Sequence, residues 1–307
     1  MKAVINKSHI EGVIYEHDLE MKVTGPNSKN PGTSYIRGSV SFATDDAMTN
    51  IVPVYFTYVT PRTAKDKDNP TYGVLKNILD GVIGTYMKDG PEKAGKARID
   101  SALALNEFYP RDGGELISSK RNEGGFIHTC DALVEDEKER STFECDMLIT
   151  NVIRVEADEE REMPEKVIVK GAIFNFRKAL MPYEFVATNP NAMNYFEDLN
   201  ASPKNPVFTK VWGRQVSQVV VKKSVEESAF GEAHIKESKS TRRELLITGA
   251  SREPYIWDDE TTMTAAELAE AISNREIHLA ELKQNAANSA STPAPAPAAP
   301  ANQGFDF

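Results

Sequence analysis

The stretch YIRGSV at residues 35–40 recurs as IVKGAI at residues 168–173, and this recurrence decides the fold. Three further matches follow in the same order along the chain. They pair Val52–Phe56 with Met181–Phe185, Asn69-Pro70 with Asn189-Pro190, and Met147–Asn151 with Leu245–Gly249. Four short matches in one order predict that the chain contains a duplicated unit.

Short runs rich in Val, Ile, Tyr and Phe, separated by Gly, Pro, Asn and Asp, predict that the chain is mainly β with short helices. The predicted strands are 10–23, 35–43, 51–60, 97–105, 125–134, 143–155, 167–177, 182–187, 207–221 and 244–250. Residues 71–88 and 191–200 predict helices, each soon after an Asn-Pro pair.

The order of elements within each unit is strand, strand, helix, strand and closing strand. A helix between the third and fourth strands of a small closed sheet is the OB-fold arrangement. We therefore predict two OB-fold-like barrels in tandem, residues 1–157 and 158–257. The alternative is a pair of β-sandwich domains, which rarely place one helix at the same point of both units.

The C-terminal region differs from the two units. Residues 258–284 are predicted to be a linker and an amphipathic helix, which a capping box at Thr264–Glu267 opens. Its short apolar stripe predicts docking on the barrels or on a partner. Residues 285–307 are rich in Pro and Ala and are predicted to be disordered. They end in the peptide GFDF.

Charge is distributed unevenly along the chain, whose net charge is −10. Acidic residues are concentrated in the run 156–165 and after residue 257, whereas residues 166–257 are mildly basic. This distribution permits an anionic ligand on the second unit.

Several classes of protein receive no support from the sequence. The chain has no run of 18 apolar residues that would predict a membrane span. Residues 1–18 lack the apolar core of a signal peptide, so we expect a cytoplasmic protein. The two cysteines are expected to be free. The five histidines lack metal-ligand spacing, and neither a phosphate-binding glycine loop nor a nucleophile elbow is present. We expect no metal, no cofactor and no enzymatic activity.

A family resemblance rests on the second unit and the tail. Residues 211–216 read VWGRQV where domains of bacterial single-stranded DNA-binding proteins (SSBs) place a strand, and residues 243–249 follow as a closing strand. A low-complexity linker and a terminal peptide with acid and phenylalanine complete the likeness. The chain thus resembles the SSB family, including its variable phage-encoded members.

The SSB resemblance implies binding of single-stranded DNA without sequence preference in DNA replication, recombination and repair. It also implies recruitment of replication or recombination proteins through Phe305, Asp306 and Phe307. The alternative for this tip is a neutral terminus. The alternative for the whole chain is a β-rich structural or assembly protein of a virus.

Candidate DNA contacts are aromatic residues that lie beside cations on strands. Bases stack on the aromatic faces, and the cations bind the phosphates. The predicted nucleic-acid-binding residues are Tyr35, Arg37, Tyr55, Lys120, Arg121, Phe126, Phe174, Phe176, Arg177, Lys178, Trp212, Arg214 and Lys222.

Three groups of these candidates have a specific structural prediction. A two-residue period places Phe174, Phe176 and Lys178 on one strand face, although both phenylalanines could fill a barrel. Residues 120–126 predict a hairpin tip that closes over a strand, or else an ordinary solvated turn. Trp212 shares a face with Arg214, unless its indole belongs to the core.

Overall fold

The computed structural model describes residues 4–110, 113–157, 164–226, 234–257 and 263–290, without the side chains of 218–226, 234–242 and 289–290. The strands are β1 Asn6–His17, β2 Glu20–Val23, β3 Ser34–Ala43, β4 Ile51–Val59, β5 Lys96–Phe108, β6 Ile117–Thr129, β7 Ser141–Val155, β8 Lys166–Phe174, β9 Leu180–Ala187, β10 Val207–Glu226 and β11 His234–Ala250. The helices are α1 Pro70–Leu79, α2 Tyr86–Asp89, α3 Pro190–Asp198 and α4 Ala265–Ala290, with a 3₁₀ turn at Glu137–Glu139. The predicted class, mainly β with short helices and a C-terminal helix, is confirmed.

Five strands close into a first ring. β1 pairs antiparallel with β3 and β5, β3 with β4, and β5 with β6. A short parallel pairing of β4 with β6, at Val54–Asn122 and Tyr55–Glu123, completes the circuit. α1 follows the third strand of the ring, and its Leu75 and Ile78 are buried in the ring's core with Ile10.

A second ring repeats this connectivity. β7 pairs antiparallel with β8 and β10, β8 with β9, and β10 with β11, while β9 and β11 meet in parallel at Val186–Leu246. α3 again follows the third strand, and its Met193 and Phe196 are buried in the core. β1 also pairs with β7, so the two rings form one continuous 11-stranded sheet.

Steric crowding explains why the repeated motif contains a glycine. Gly38 lies in β3 and Gly171 in β8, the second strand of each ring. A Cβ on Gly38 would lie 2.6 Å from the Asp18 carbonyl oxygen, and one on Gly171 would lie 1.9 Å from that of Leu148. Both positions require glycine because the backbone of another segment, the β1–β2 connection at Gly38 and β7 at Gly171, passes too close for a side chain.

The predicted boundary between residues 157 and 158 is wrong. The first ring is already closed by β6, and Met147–Asn151 lies in β7, the first strand of the second ring. This segment is therefore not equivalent to Leu245–Gly249, which lies in the last strand. The acidic run 156–165 connects β7 to β8 and does not link two units. The rings are instead divided between Thr129 and Ser141.

The helix predicted over residues 71–88 is two separate helices. α1 ends at Leu79, and Gly81 follows with a φ of 76°, in the left-handed region that glycine adopts without steric cost. The chain then continues to α2, which begins at Tyr86.

α4 packs against the outside of the second ring. Its Leu268 and Ala271, with the preceding Met263, contact a cluster that includes Phe174 and Phe208. The predicted capping box is confirmed, because Thr264 and Glu267 exchange side-chain to backbone hydrogen bonds. No helix among the described residues is long and apolar enough to cross a membrane.

The predicted start of disorder at Asn285 is wrong, because α4 continues to Ala290. The remaining part of the predicted tail, residues 291–307, lies outside the described residues. It includes the tip residues Phe305, Asp306 and Phe307.

Candidate nucleic-acid interface

Three exposed aromatic side chains from both rings line one surface cleft of about 690 Å³. They are Tyr58 of β4, Phe126 of β6 and Phe176 of the β8–β9 turn, which are 50%, 67% and 88% exposed. We call this group the aromatic cleft. A cluster of exposed aromatic surface is characteristic of a binding site, because apolar groups of this size are normally buried.

A β-bulge presents Phe126 to solvent. Gly124 and Gly125 have φ values of 70° and 106°, and together they lie opposite a single residue of β5. The extra residue changes the direction of the following side chain. The run 120–126 is therefore inside a strand, and its prediction as a hairpin tip is wrong.

A tight turn presents Phe176. Asn175 accepts backbone hydrogen bonds on its side-chain oxygen from Arg177 and Ala179, both at 2.9 Å. Lys178 completes the turn with a φ of 61°. The Arg177 guanidinium lies 5.2 Å from the centre of the Phe176 ring, and both side chains are exposed.

The prediction that Phe174, Phe176 and Lys178 share one strand face is wrong because β8 ends at Phe174. Phe174 is 1% exposed and packs against Phe208 with 5.9 Å between ring centres. It is a core residue and cannot contact DNA.

Tyr58 is the aromatic residue that sequence reasoning did not select. Its ring lies 4.7 Å from that of Tyr35, so Tyr35 adjoins the aromatic cleft. Tyr55, which was selected, is partly buried with the Arg121 guanidinium 5.7 Å from its ring centre. Tyr58 continues the inward face of Phe56 at the end of β4, and strand alternation alone predicts burial there.

Cations gather where the two rings meet, beside the aromatic cleft. Lys120 of β6 lies 5.5 Å from the Tyr183 ring of the second ring, and its ammonium donates to the Glu184 carbonyl at 3.3 Å. Desolvation lowers the pKa of Lys120, although part of its side chain is exposed. The Lys170 ammonium lies 2.9 Å from the Glu184 carboxylate and holds the pKa of that carboxyl below its usual range.

These cations adjoin a smaller pocket of about 300 Å³ between the rings, which we call the inter-ring pocket. It is lined by Lys120, Arg121, Asn122, Lys166, Gln215, Ser217 and Arg243 among others. Leu103 lines both this pocket and the aromatic cleft. Arg121 donates to Glu123 of the aromatic cleft at 2.8 Å. The two sites are therefore neighbours on one surface.

The remaining candidates lie elsewhere. Trp212 and Arg214 line a separate cleft. The Trp212 side chain is 40% exposed, and its indole lies so close to Gly249 that a Cβ added to Gly249 would be 2.4 Å from it. Two pairs of side chains lie close together in that cleft, Lys210 with Glu144 at 2.8 Å and His9 with Asp100 at 2.7 Å. Arg37 pairs with Glu20 on the surface, and the side chain of Lys222 is among those not described.

The described residues contain no group of three or more His, Cys, Asp or Glu side chains placed to hold a metal ion. Cys130 and Cys145 are both free thiols. Complete burial raises the pKa of Cys145 well above its usual value, so this thiol is unreactive.

The fold and the site together define a protein with two linked β-rings and an exposed aromatic and cationic surface that crosses them. The chain belongs to the YorF family, whose model matches residues 5–285.

Two solved structures of the single-stranded DNA binding protein from Thermus aquaticus are similar to this chain. A deletion variant is 12% identical with a TM-score of 0.47, covering 85% of this chain and 100% of that one. The wild-type protein is 11% identical with a TM-score of 0.46, covering 82% and 95%. No curated protein matches the chain.

Proposed function

We propose that this protein binds single-stranded DNA without sequence preference, and that its two rings are OB-fold-like barrels. The observation that carries the proposal is the aromatic cleft, in which Tyr58, Phe126 and Phe176 are exposed together. Stacking of a base on an aromatic side chain contributes about 1–3 kcal/mol and tolerates every base, because each base has a π-face.

The cations beside the aromatic cleft support the same function. Arg177 lies against Phe176, and Lys120 and Arg121 lie at the meeting point of the rings. In proteins that bind single strands, cations next to the stacking aromatic rings contact the phosphates of the bound strand. Acidic residues are concentrated in the run 156–165 and after residue 257, outside the segments that carry these cations.

The cleft also supports a preference for single strands over duplex DNA. Bases in a duplex already stack on their neighbours and present only their edges in the grooves. Aromatic faces can therefore be covered by the bases of an unpaired strand but not by those of an intact helix.

The proposed cellular role is replication, recombination or repair of DNA in the cytoplasm. The tip residues Phe305, Asp306 and Phe307 would recruit other proteins, since two apolar rings and carboxylates suit an apolar pocket with a basic rim. The proposal includes no catalytic step.

A competition measurement tests the proposed function. Fluorescence anisotropy of a labelled oligo-dT is followed as the protein is added, and unlabelled single-stranded or duplex DNA of equal length is then used as competitor. We expect the single strand to displace the label and the duplex to compete weakly. Equal competition by the duplex would contradict a stacking mechanism. Absence of binding together with self-association of the protein would favour an assembly protein.

A further inference from the structure

The inter-ring pocket has the size and the walls of a small-ligand site. Its volume of about 300 Å³ is at the lower end of the range for such sites, which often form between domains. Apolar side chains from strands of both rings, including β5, β8, β9, β10 and β11, make the walls. They include Leu103, Ile168, Val186, Val216 and Leu245.

A closed triangle of hydrogen bonds holds the floor of the pocket in place. Ser8 donates to the Asn122 side chain at 2.8 Å, Asn122 donates to Gln215 at 2.9 Å, and Gln215 donates back to Ser8 at 2.6 Å. All three side chains are buried and come from different strands of the two rings. The pocket is therefore preformed and does not depend on a flexible loop.

Ser217 is a buried polar residue of the pocket. The Ser217 hydroxyl is buried, with its residue 5% exposed, and it makes no hydrogen bond to the described residues. A buried hydroxyl without a partner is costly unless a ligand or water completes its hydrogen bonding. Ser217 lines the inter-ring pocket, and rotation about its Cα–Cβ bond would turn this hydroxyl toward an occupant of the pocket.

The rim of the pocket suits a phosphate. The exposed Arg243 has no carboxylate partner among the residues with described side chains. Lys166 also lines the pocket, and its ammonium lies 2.8 Å from the Glu244 carboxylate. A free guanidinium can bind two phosphate oxygens at once, and Glu244 is already neutralised by Lys166.

We propose that the inter-ring pocket binds one nucleobase, with its 5′-phosphate on Arg243. The apolar walls contact the faces of the base, and the Ser217 hydroxyl binds a polar atom on its edge. This inference rests on the proposed function, because the base is taken to belong to the bound strand. A free nucleotide has the same chemistry and serves as the probe.

Calorimetric titration of the full chain with thymidine 5′-monophosphate tests the pocket. We expect saturable binding that deoxyribose 5-phosphate, which lacks the base, does not reproduce. Ile168→Phe fills the pocket from an outward strand position and should abolish nucleotide binding, whereas the volume-conserving control Ile168→Leu should retain it. Ser217→Ala should weaken binding by about two- to tenfold.

The same series separates this inference from the proposed function. Phe126→Ala should weaken oligo-dT binding and leave nucleotide binding unchanged. Binding of oligo-dT without any binding of the nucleotide would overturn the pocket proposal alone, whereas failure of both would overturn both.

If deoxyribose 5-phosphate bound as tightly as thymidine 5′-monophosphate, the pocket would be an anion site that does not recognise a base, and the proposal would be overturned. Unchanged nucleotide binding by folded Ile168→Phe would also overturn it. If circular dichroism showed Ile168→Phe to be unfolded, an oligonucleotide carrying 5-iododeoxyuridine decides the matter by photocrosslinking. Crosslinks to β8 or β10 around the pocket would support the proposal, and crosslinks only elsewhere would overturn it.

Discussion

At the scale of single residues, two glycines determine where a base could stack. Gly124 and Gly125 adopt positive φ, and a Cβ on Gly125 would lie 2.1 Å from the Asp100 carbonyl oxygen. The bulge that they form presents Phe126 in the aromatic cleft. Backbone geometry therefore decides the role of an aromatic residue that sequence alone places equally well in a core.

Removal of a stacking ring should weaken strand binding without unfolding the protein. Phe126→Ala and Phe176→Ala should each reduce oligo-dT affinity by about 1–3 kcal/mol, because each ring supports one base. Phe108→Ala is the matched control, since Phe108 is 45% exposed and lies outside the aromatic cleft. Anisotropy titration measures the three affinities. Equal losses for all three variants would contradict a specific role of the cleft.

Sequence reasoning selected Phe126 and Phe176 but could not separate them from Phe174. A two-residue period assigns faces only as far as a strand continues, and β8 ends at Phe174. The turn that follows depends on hydrogen bonds of Asn175, which no periodicity reveals. Tyr58 was missed for a related reason. Its inward position on β4 predicts burial, but near the end of a strand such a side chain can remain exposed to solvent.

At the scale of elements, α4 is fixed by an ion pair as well as by apolar contacts. Arg275 donates two hydrogen bonds to the carboxylate of Glu107 in β5, whose side chain is 4% exposed. Burial acts to raise the pKa of Glu107, but the Arg275 guanidinium, together with Ser118 and His278, outweighs burial and the pKa is lowered. His278 lies 4.0 Å from the same carboxylate and lines the aromatic cleft.

Arg275→Gln should release α4 from the rings. An unpaired buried carboxylate costs about 3–5 kcal/mol, so hydrogen exchange in α4 should accelerate strongly. Arg154→Gln is the control. It breaks exposed ion pairs with Glu165 and Glu197, and it should cost at most about 1 kcal/mol. Unchanged exchange in Arg275→Gln would show that the apolar contacts alone hold the helix.

The same variant should change how stability depends on pH. Because the folded-state pKa of Glu107 is lowered, the ion pair stabilises the fold fully above the ordinary glutamate pKa of 4.5. This stabilisation is lost as the pH falls through the folded-state pKa. The difference in unfolding free energy between wild type and Arg275→Gln should therefore shrink on acidification, which denaturant titration at several pH values measures. A difference that did not change with pH would contradict this assignment.

At the scale of the whole molecule, the division between the rings follows strand pairing and not charge. β7 pairs with β8 and β10, so it belongs to the second ring although the acidic run follows it. The sequence predicted the duplication and the position of the helix within each unit, because both leave local patterns. The boundary depends on pairing between distant strands, which leaves no local pattern in the sequence.

Truncation should locate the division. A fragment of residues 136–290 keeps all five strands of the second ring, whereas 158–290 lacks β7 and exposes the edges of β8 and β10. We expect dispersed amide signals in NMR spectra of the longer fragment and collapsed or aggregated material from the shorter one. Equally good folding of both fragments would contradict the place of β7 in the second ring.

The central claim is that stacking and phosphate contacts together bind a single strand, and a salt series of oligo-dT titrations tests it most directly. Wild type is compared with the double variant Phe126→Ala and Phe176→Ala. We predict that wild-type affinity falls linearly on a log–log plot against salt concentration, because cations release counterions from phosphates. The variant should give a weaker but parallel line, because stacking is not screened by salt. An affinity that did not vary with salt, or a variant that bound as tightly as wild type, would contradict the account.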